Sequence, residues 1–158
     1  MSDLSHIGPD GSARMVDVTQ KPTTERMARA GGSIVMQAAT LALIRANAVK
    51  KGDVLTVART AGILAAKRTA ELIPLCHSLP LTDIVIDLQP DDSLPGITAV
   101  VTVRTTASTG VEMEAITASA VTLITIYDMV KGVDKSLTIT DIRLLEKRGG
   151  RSGVFLAE

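Results

Sequence analysis

Four ionisable side chains share one apolar stretch of this 158-residue chain. Within "GVEMEAITASAVTLITIYDMVKGV" (110–133), Glu112 and Glu114 stand near the start, Asp128 and Lys131 near the end. A helix among apolar neighbours does not carry such groups unless they are paired or used. Asp128 and Lys131, three apart, share one helix face. They read either as an ordinary ion pair or as a carboxylate–ammonium pair for proton transfer. At helical spacing Glu114 and Asp128 lie about 40° apart around the axis but about 21 Å apart along it. One small substrate cannot touch both on one helix. If both ends serve one pocket, a second copy must lay its helix antiparallel alongside, giving two identical pockets across a two-fold interface.

The second candidate is "ELIPLCHSLPL" (71–81), which holds the only cysteine, Cys76, and one of two histidines, His77. Pro74 and Pro80 fix two φ angles and make the bend rigid. Cys76 and His77 are then either core packing or groups on display. Neighbours in an extended stretch point to opposite sides, which argues against a Cys–His nucleophile pair. A hydrogen-bonding or proton-transferring His77 fits better. Around these groups lie Lys21, Arg26, Lys51, Lys131, Lys147 and Arg151. Solvated surface explains most single lysines; a collection of cations near carboxylates and a histidine suits a polyanion undergoing proton transfers. No GxxxxGK[ST] loop, strand-following GxGxxG, HExxH or Cys/His cluster offers a P-loop, dinucleotide or metal alternative.

Composition narrows the class. Hydrophobic content is 46% and aromatic content 1%, so the core is built from Ala, Val, Ile, Leu and Met. Such side chains bury little area each, which makes oligomerisation attractive. With 17 basic and 17 acidic residues the chain is neutral, and nothing points to nucleic acid or a membrane surface. One cysteine excludes an intrachain disulfide. The opening residues lack a secretory pattern, and no stretch is continuously apolar over about 18 residues, so the expected location is the cytoplasm.

The elements that must position these groups read as follows. Residues 1–13 are a loose arm, 14–153 one domain and 154–158 a tail. "RMVDV" (14–18) reads as a short strand. The charged segment from Thr23 to Gly31 reads as one or two mobile helical turns, and "SIVM" as a short strand. Helices are expected over 37–49 and from Asp53 to Pro74, the latter with small Ala61, Gly62, Ala65 and Ala66 for close packing. "TDIVIDLQ" and "ITAVVTVRTT" make a hairpin. The long helix over 110–133 and a strand over 136–147 follow, then the flexible, basic "RGGRSG". The order fits an α+β sandwich of the ferredoxin-like type, with helices on one face of an antiparallel sheet.

Taken together, "MVDV", "KKGDVL", "AAKRTAELIPLCHSLPL", "GVEMEAITA", "TIYDMVK" and "DIRLLEK" resemble the cyclic pyranopterin monophosphate synthase (MoaC) family of molybdenum cofactor biosynthesis, from about residue 14 to 153. The resemblance implies a ferredoxin-like subunit in a homohexamer, a trimer of dimers with active sites at dimer interfaces. It implies a phosphorus–oxygen lyase that converts 3′,8-cyclo-7,8-dihydroguanosine 5′-triphosphate, made by a radical-SAM GTP 3′,8-cyclase, to cyclic pyranopterin monophosphate and pyrophosphate. By this resemblance Asp128 and Lys131 are the catalytic pair. Leu75, Cys76, His77, Glu112, Met113, Glu114, Asp17, Lys21, Arg26, Lys51 and Lys147 are substrate-binding. No cofactor or protein-held metal is required; Mg²⁺ could act through the substrate phosphates. In that chemistry Lys131 must be desolvated enough to lose its proton, Glu112 and Glu114 accept from the purine N–H groups, and the segment carrying Lys21 and Arg26 acts as a lid. The chain departs from the family at Ser78, commonly proline, at Arg148, commonly small and polar, and at Arg151, commonly lysine. The reading from another class is a non-catalytic oligomer that binds a small anion; a third is a cysteine-dependent enzyme.

Overall fold

The computed structural model describes residues 7, 10–151 and 153–158. The segment expected as helical turns is instead the middle of the sheet: β1 runs Thr24–Val35, hydrogen-bonded on both sides. Its local sequence is poor in strand formers, but Ala28, Ala30, Gly32 and Ile34 alternate into the core, and pairing with two neighbours outweighs propensity. Gly31 does not close a helix. It and Gly32 lie where the β1–β4 register shifts. A Cβ at Gly32 would stand 2.9 Å from Leu123 and Ile142 side chains, so no larger residue fits between strand and helix.

After β1 come α1 (Ala38–Arg45), α2 (Val54–Lys67) and the single turn α3 (Thr69–Leu72). Asp53 caps α2, accepting from Thr56 N at 3.0 Å. The expected continuous helix up to Pro74 breaks at Arg68, because the Thr69 hydroxyl donates to the Ala65 and Ala66 carbonyls. β2 (Leu81–Asp91) and β3 (Gly96–Ala107) form the expected hairpin. Then come α4 (Glu112–Val130), β4 (Thr138–Arg148) and a short β5 (Phe155–Leu156), which turns part of the expected tail into an edge strand on β4.

The sheet order is β2-β3-β1-β4-β5 with every pairing antiparallel. This is an α+β fold. α4 packs on β1, β3 and β4, and α2 packs on β2 and α4. Gly62 sits where α2 meets α4: a Cβ there would collide with Thr122 and Ile86, as the small-residue stretch predicted. The core is aliphatic throughout, with Ile34, Leu41, Ile97, Leu123 and Ile126 essentially inaccessible. α4 is apolar enough to resemble a membrane span by composition, with a mean hydropathy of 1.3, but half of that window is buried in the fold.

Residues 14–18 are not a strand; they are irregular chain, tied instead to the bend at 71–81. Of the arm expected over 1–13, residues 1–6, 8 and 9 lie outside the described residues, and Ile7 bridges Ala13. Ser152 of the basic "RGGRSG" also lies outside them.

Candidate active site

The two ends of α4 build two different environments. At its N-terminal end the chain turns through Ser108, Thr109 and Gly110 into Val111, which caps the helix without a side-chain bond. Glu112 and Glu114 fall in the first turn, where carboxylates suit the positive end of the helix dipole. Glu112 Oε1 accepts from Lys147 Nζ of β4 at 3.1 Å. Glu114 is turned inward, 3% exposed, and meets the Pro74–Pro80 bend: Cys76 Sγ donates to its Oε1 at 3.8 Å, while its Oε2 has no partner.

The bend is held as the two prolines suggested. Pro74 opens a turn closed by Cys76 N to Ile73 O at 3.0 Å, and Thr105 Oγ1 donates to Pro80 O at 2.6 Å. Cys76 is thereby fixed toward Glu114, and His77 Nε2 lies 2.8 Å from the Val16 carbonyl. Burial, then the nearby Glu114 charge, pushes the Cys76 thiol up to about 11. A thiol so far from ionising is a poor nucleophile, which counts against the cysteine-dependent reading. Burial also raises the Glu114 carboxyl above its ordinary value.

Beside this corner lies a cavity of about 490 Å³, lined by Lys21, Arg26, Glu112, Lys147, Arg148 and Arg151 among others. Four of the expected site residues therefore share one hollow. Arg26 is no part of a lid: it is on the central strand β1, with its guanidinium donating to the Ala107 and Ser108 carbonyls at 3.4 Å. Lys21 stands in a turn ahead of it. Reading the chain from its acid–base groups left out Ser108, Thr109 and Gly110, which shape the cavity wall; their small size next to the α4 start was the available signal.

At the other end of α4, Asp128 sits between two lysines. Lys131 Nζ is 2.7 Å from Oδ1, and Lys51 Nζ is 3.0 Å from Oδ2. Lys51 also donates to the Asp128 carbonyl at 2.7 Å, capping a helix end where a cation is favoured. Hydrogen bonds from Lys131 and Lys51 lower the Asp128 pKa, and Asp128 in turn raises that of Lys131. Lys131 is half-exposed and anchored as a cation. In a single chain it is therefore not the desolvated, readily deprotonated amine that the sequence reading required; Asp128 holds it in its cationic form.

The nineteen residues of α4 separate these clusters by roughly 25–30 Å. Leu75 and His77 stay with the cavity-side bend and are half-buried, and Met113 is exposed on the outer face of α4. Asp17 is exposed, its carboxylate accepting from Thr19 N and Oγ1 in a local turn, and it meets neither cluster. Among the described residues no group of three or more His, Cys, Asp or Glu side chains is arranged to hold a metal.

The MoaC family model matches residues 15–150. The chain belongs to the MoaC family. A Dinoroseobacter shibae protein named cyclic pyranopterin monophosphate synthase is 56% identical over 158 residues, spanning both chains completely. One from Cereibacter sphaeroides is 57% identical over 157 residues and one from Methylobacterium sp. 54% over 158, both under the same name and each aligned over at least 99% of both chains. Of the departures from the family pattern, Arg148 stands on the cavity wall and adds positive charge there, Arg151 on the same wall keeps a charge, and Ser78 is an exposed part of the bend.

Proposed function

We propose that this chain is a cyclic pyranopterin monophosphate synthase acting in molybdenum cofactor biosynthesis. Its substrate would be 3′,8-cyclo-7,8-dihydroguanosine 5′-triphosphate, supplied by a radical-SAM GTP 3′,8-cyclase, and its products cyclic pyranopterin monophosphate and pyrophosphate. The relatives' shared name over full-length alignments supports the activity. The site's residue types support the chemistry.

The observation that carries the mechanism is the outward stripe of α4. Met113, Thr117, Ala120, Ile124, Tyr127 and Lys131 recur at alternating steps of four and three, and none of them is buried in the chain. Ile124, 55% exposed, lines up with exposed Met113 and Tyr127, so the apolar surface is a stripe and not a lone residue. A four–three repeat is a helix-pairing seam, and Ala120 at its middle allows close approach. With a two-fold axis passing at Ala120–Val121, an antiparallel second copy sets Met113 opposite the partner's Asp128. Each of two pockets then combines the cavity of one chain with the Lys51–Asp128–Lys131 cluster of the other. We propose a ferredoxin-like subunit assembled through such dimers into a homohexamer, working in the cytoplasm without a protein-held metal; Mg²⁺ can enter on the substrate phosphates.

In this pocket Glu112 and Glu114 accept from the amino and ring N–H groups of the base. Lys147, Lys21, Arg26 and Lys51 face the phosphates, and Asp128 with Lys131 moves protons. Rebuilding the ring needs a donor first, which Lys131 supplies as a cation; covering it by the partner lowers the cost of its neutral form and lets it act next as base. Formation of the cyclic phosphate joins a substrate hydroxyl oxygen to the α-phosphorus. The bond to the β-phosphate breaks, pyrophosphate departs, and the hydroxyl proton passes to the base. Leu75, Cys76, His77 and Met113 would shape the wall around the base, and Asp17 would reach it only if the 14–18 segment moves. Incubation of the purified protein with the cyclised GTP derivative is expected to release one pyrophosphate per cyclic monophosphate formed. Binding without release would favour the non-catalytic anion-binding reading instead.

A further inference from the structure

Gly110 differs from the other glycines of the fold. At Gly31, Gly32 and Gly62 an added Cβ would meet core side chains or backbone of other elements. At Gly149 and Gly150 the backbone is left-handed, with φ of 95° and 78°. Gly110 has neither constraint: its φ is not positive, and the three nearest atoms to an added Cβ are the carboxyl Cδ (2.7 Å), Oε1 (2.9 Å) and Oε2 of Glu112. The missing methyl thus leaves room for the Glu112 carboxylate, folded back over the 108–110 loop. There its Oε1 holds Lys147 Nζ at 3.1 Å, with both side chains 29% exposed. The pair stands on the wall of a cavity whose other charged groups, Lys21, Arg26, Arg148 and Arg151, are all cations.

We propose that Gly110 is a positioning residue that lets Glu112 act as the resident counter-ion of Lys147, so that the cavity binds a polyphosphate less tightly than its cations alone would. A polyphosphate arriving at Lys147 must displace or share it with Glu112. With substrate bound, the freed Glu112 accepts from the base; pyrophosphate offers it no donor, so the cost falls on the product and speeds its departure. This rests on reading the cavity as the phosphate end of the proposed site, but its test needs no turnover.

The test measures the dissociation constant of inorganic pyrophosphate by calorimetry at fixed ionic strength. Gly110→Ala, Glu112→Ala and the double variant are compared with the unaltered assembly. Gly110→Ala is expected to tighten pyrophosphate binding by about fivefold, the range open to a half-shielded ion pair. Glu112→Ala should tighten it as much, and the double variant no further. Mere structural damage would weaken binding, so weaker or unchanged binding in Gly110→Ala overturns the proposal, as do effects that add. If Gly110→Ala fails to fold, Glu112→Ala/Gly110→Ala must fold, because the colliding carboxylate is gone; failure of both also overturns it. No pyrophosphate binding in the unaltered protein refutes the phosphate-end reading itself, which separates the two failures.

Discussion

Glu114 and Asp134 are carboxylates at opposite ends of the same stretch of chain, one in the first turn of α4 and one just past its last. Both are shut away from water, at 3% and 1% exposure. Their fates diverge because of their partners. Burial works against both anions. Asp134, however, accepts from Gln37 N (2.8 Å), Thr40 Oγ1 (3.0 Å), Ser136 N (2.8 Å) and Ser136 Oγ (2.7 Å), and these bonds hold its pKa at about 2. Glu114 has one weak thiol donor and an orphaned oxygen, so burial wins and its pKa rises. A buried anion with every lone pair answered is structural: Asp134 caps α1, whose own first residues supply no cap. A buried carboxyl with an acceptor left over is waiting for a donor, and in the proposed pocket that donor is the base of the substrate.

The largest expected effect lies with the Lys51–Asp128–Lys131 cluster proposed to move protons, the exposed counterpart of Glu114 on α4. Lys131→Ala or Asp128→Ala should lower kcat by about 10³-fold or more while thermal melting stays near that of the unaltered protein; turnover retained in both would break the division of labour between the helix ends. Mixing Glu114→Ala chains with Asp128→Ala chains sharpens it. Random pairing should restore roughly a quarter of the full activity, since half the dimers are mixed and each has one intact pocket. No recovery would mean that each pocket belongs to a single chain.

The two buried carboxylates are then separable by pH. Asp134 has a depressed pKa, so its stabilisation is present above the ordinary carboxylate range and is lost as pH falls toward 2. Asp134→Asn should cost about 2 kcal/mol at neutral pH, read by denaturant unfolding, with the gap closing below about pH 4. Glu114 has a raised pKa, so its protonated form is stable at low pH and the penalty appears as pH rises through that value. Glu114→Gln should therefore gain stability relative to the unaltered protein on going from pH 4 to pH 8, by about 1 kcal/mol; a pH-independent difference would show that folding leaves the Glu114 pKa where it is in the unfolded chain. The smallest effect belongs to Cys76→Ser, expected to change kcat/KM by less than about fivefold, because a thiol held near 11 donates a hydrogen bond and a hydroxyl does the same. A loss as deep as that of Lys131→Ala would bring back the cysteine-dependent reading.

Much of this was legible in the chain itself. The hairpin of β2 and β3, the span of α4 and the close α2–α4 contact at Gly62 follow from alternation, helical period and small residues, which are local signals. The wrong readings have a common cause. "TERMARAGG" reads as helical turns because it has no strand pattern of its own; the conformation of β1 is imposed by hydrogen bonds from β3 and β4. Residues 14–18 have strand-like composition but pair with no strand; His77 holds them through the Val16 carbonyl. The helical period runs straight through to Pro74, and Thr69 carries no signal in sequence that its hydroxyl donates to two helix carbonyls.

The same line divides the site. Spacing along one helix was enough to show that Glu114 and Asp128 lie too far apart to serve one small molecule within a chain, because helical rise is fixed by the backbone and not by context. Which carboxylate is paired, orphaned or exposed was decided only by folding. Lys147 reaches Glu112 on α4 from β4, Lys51 reaches Asp128 from the turn ahead of α2, and Asp134 takes one oxygen's donors from the start of α1. Those contacts cross 35, 77 and up to 97 residues of sequence. Charge state depends on neighbours in space, and no local pattern encodes a neighbour that distant.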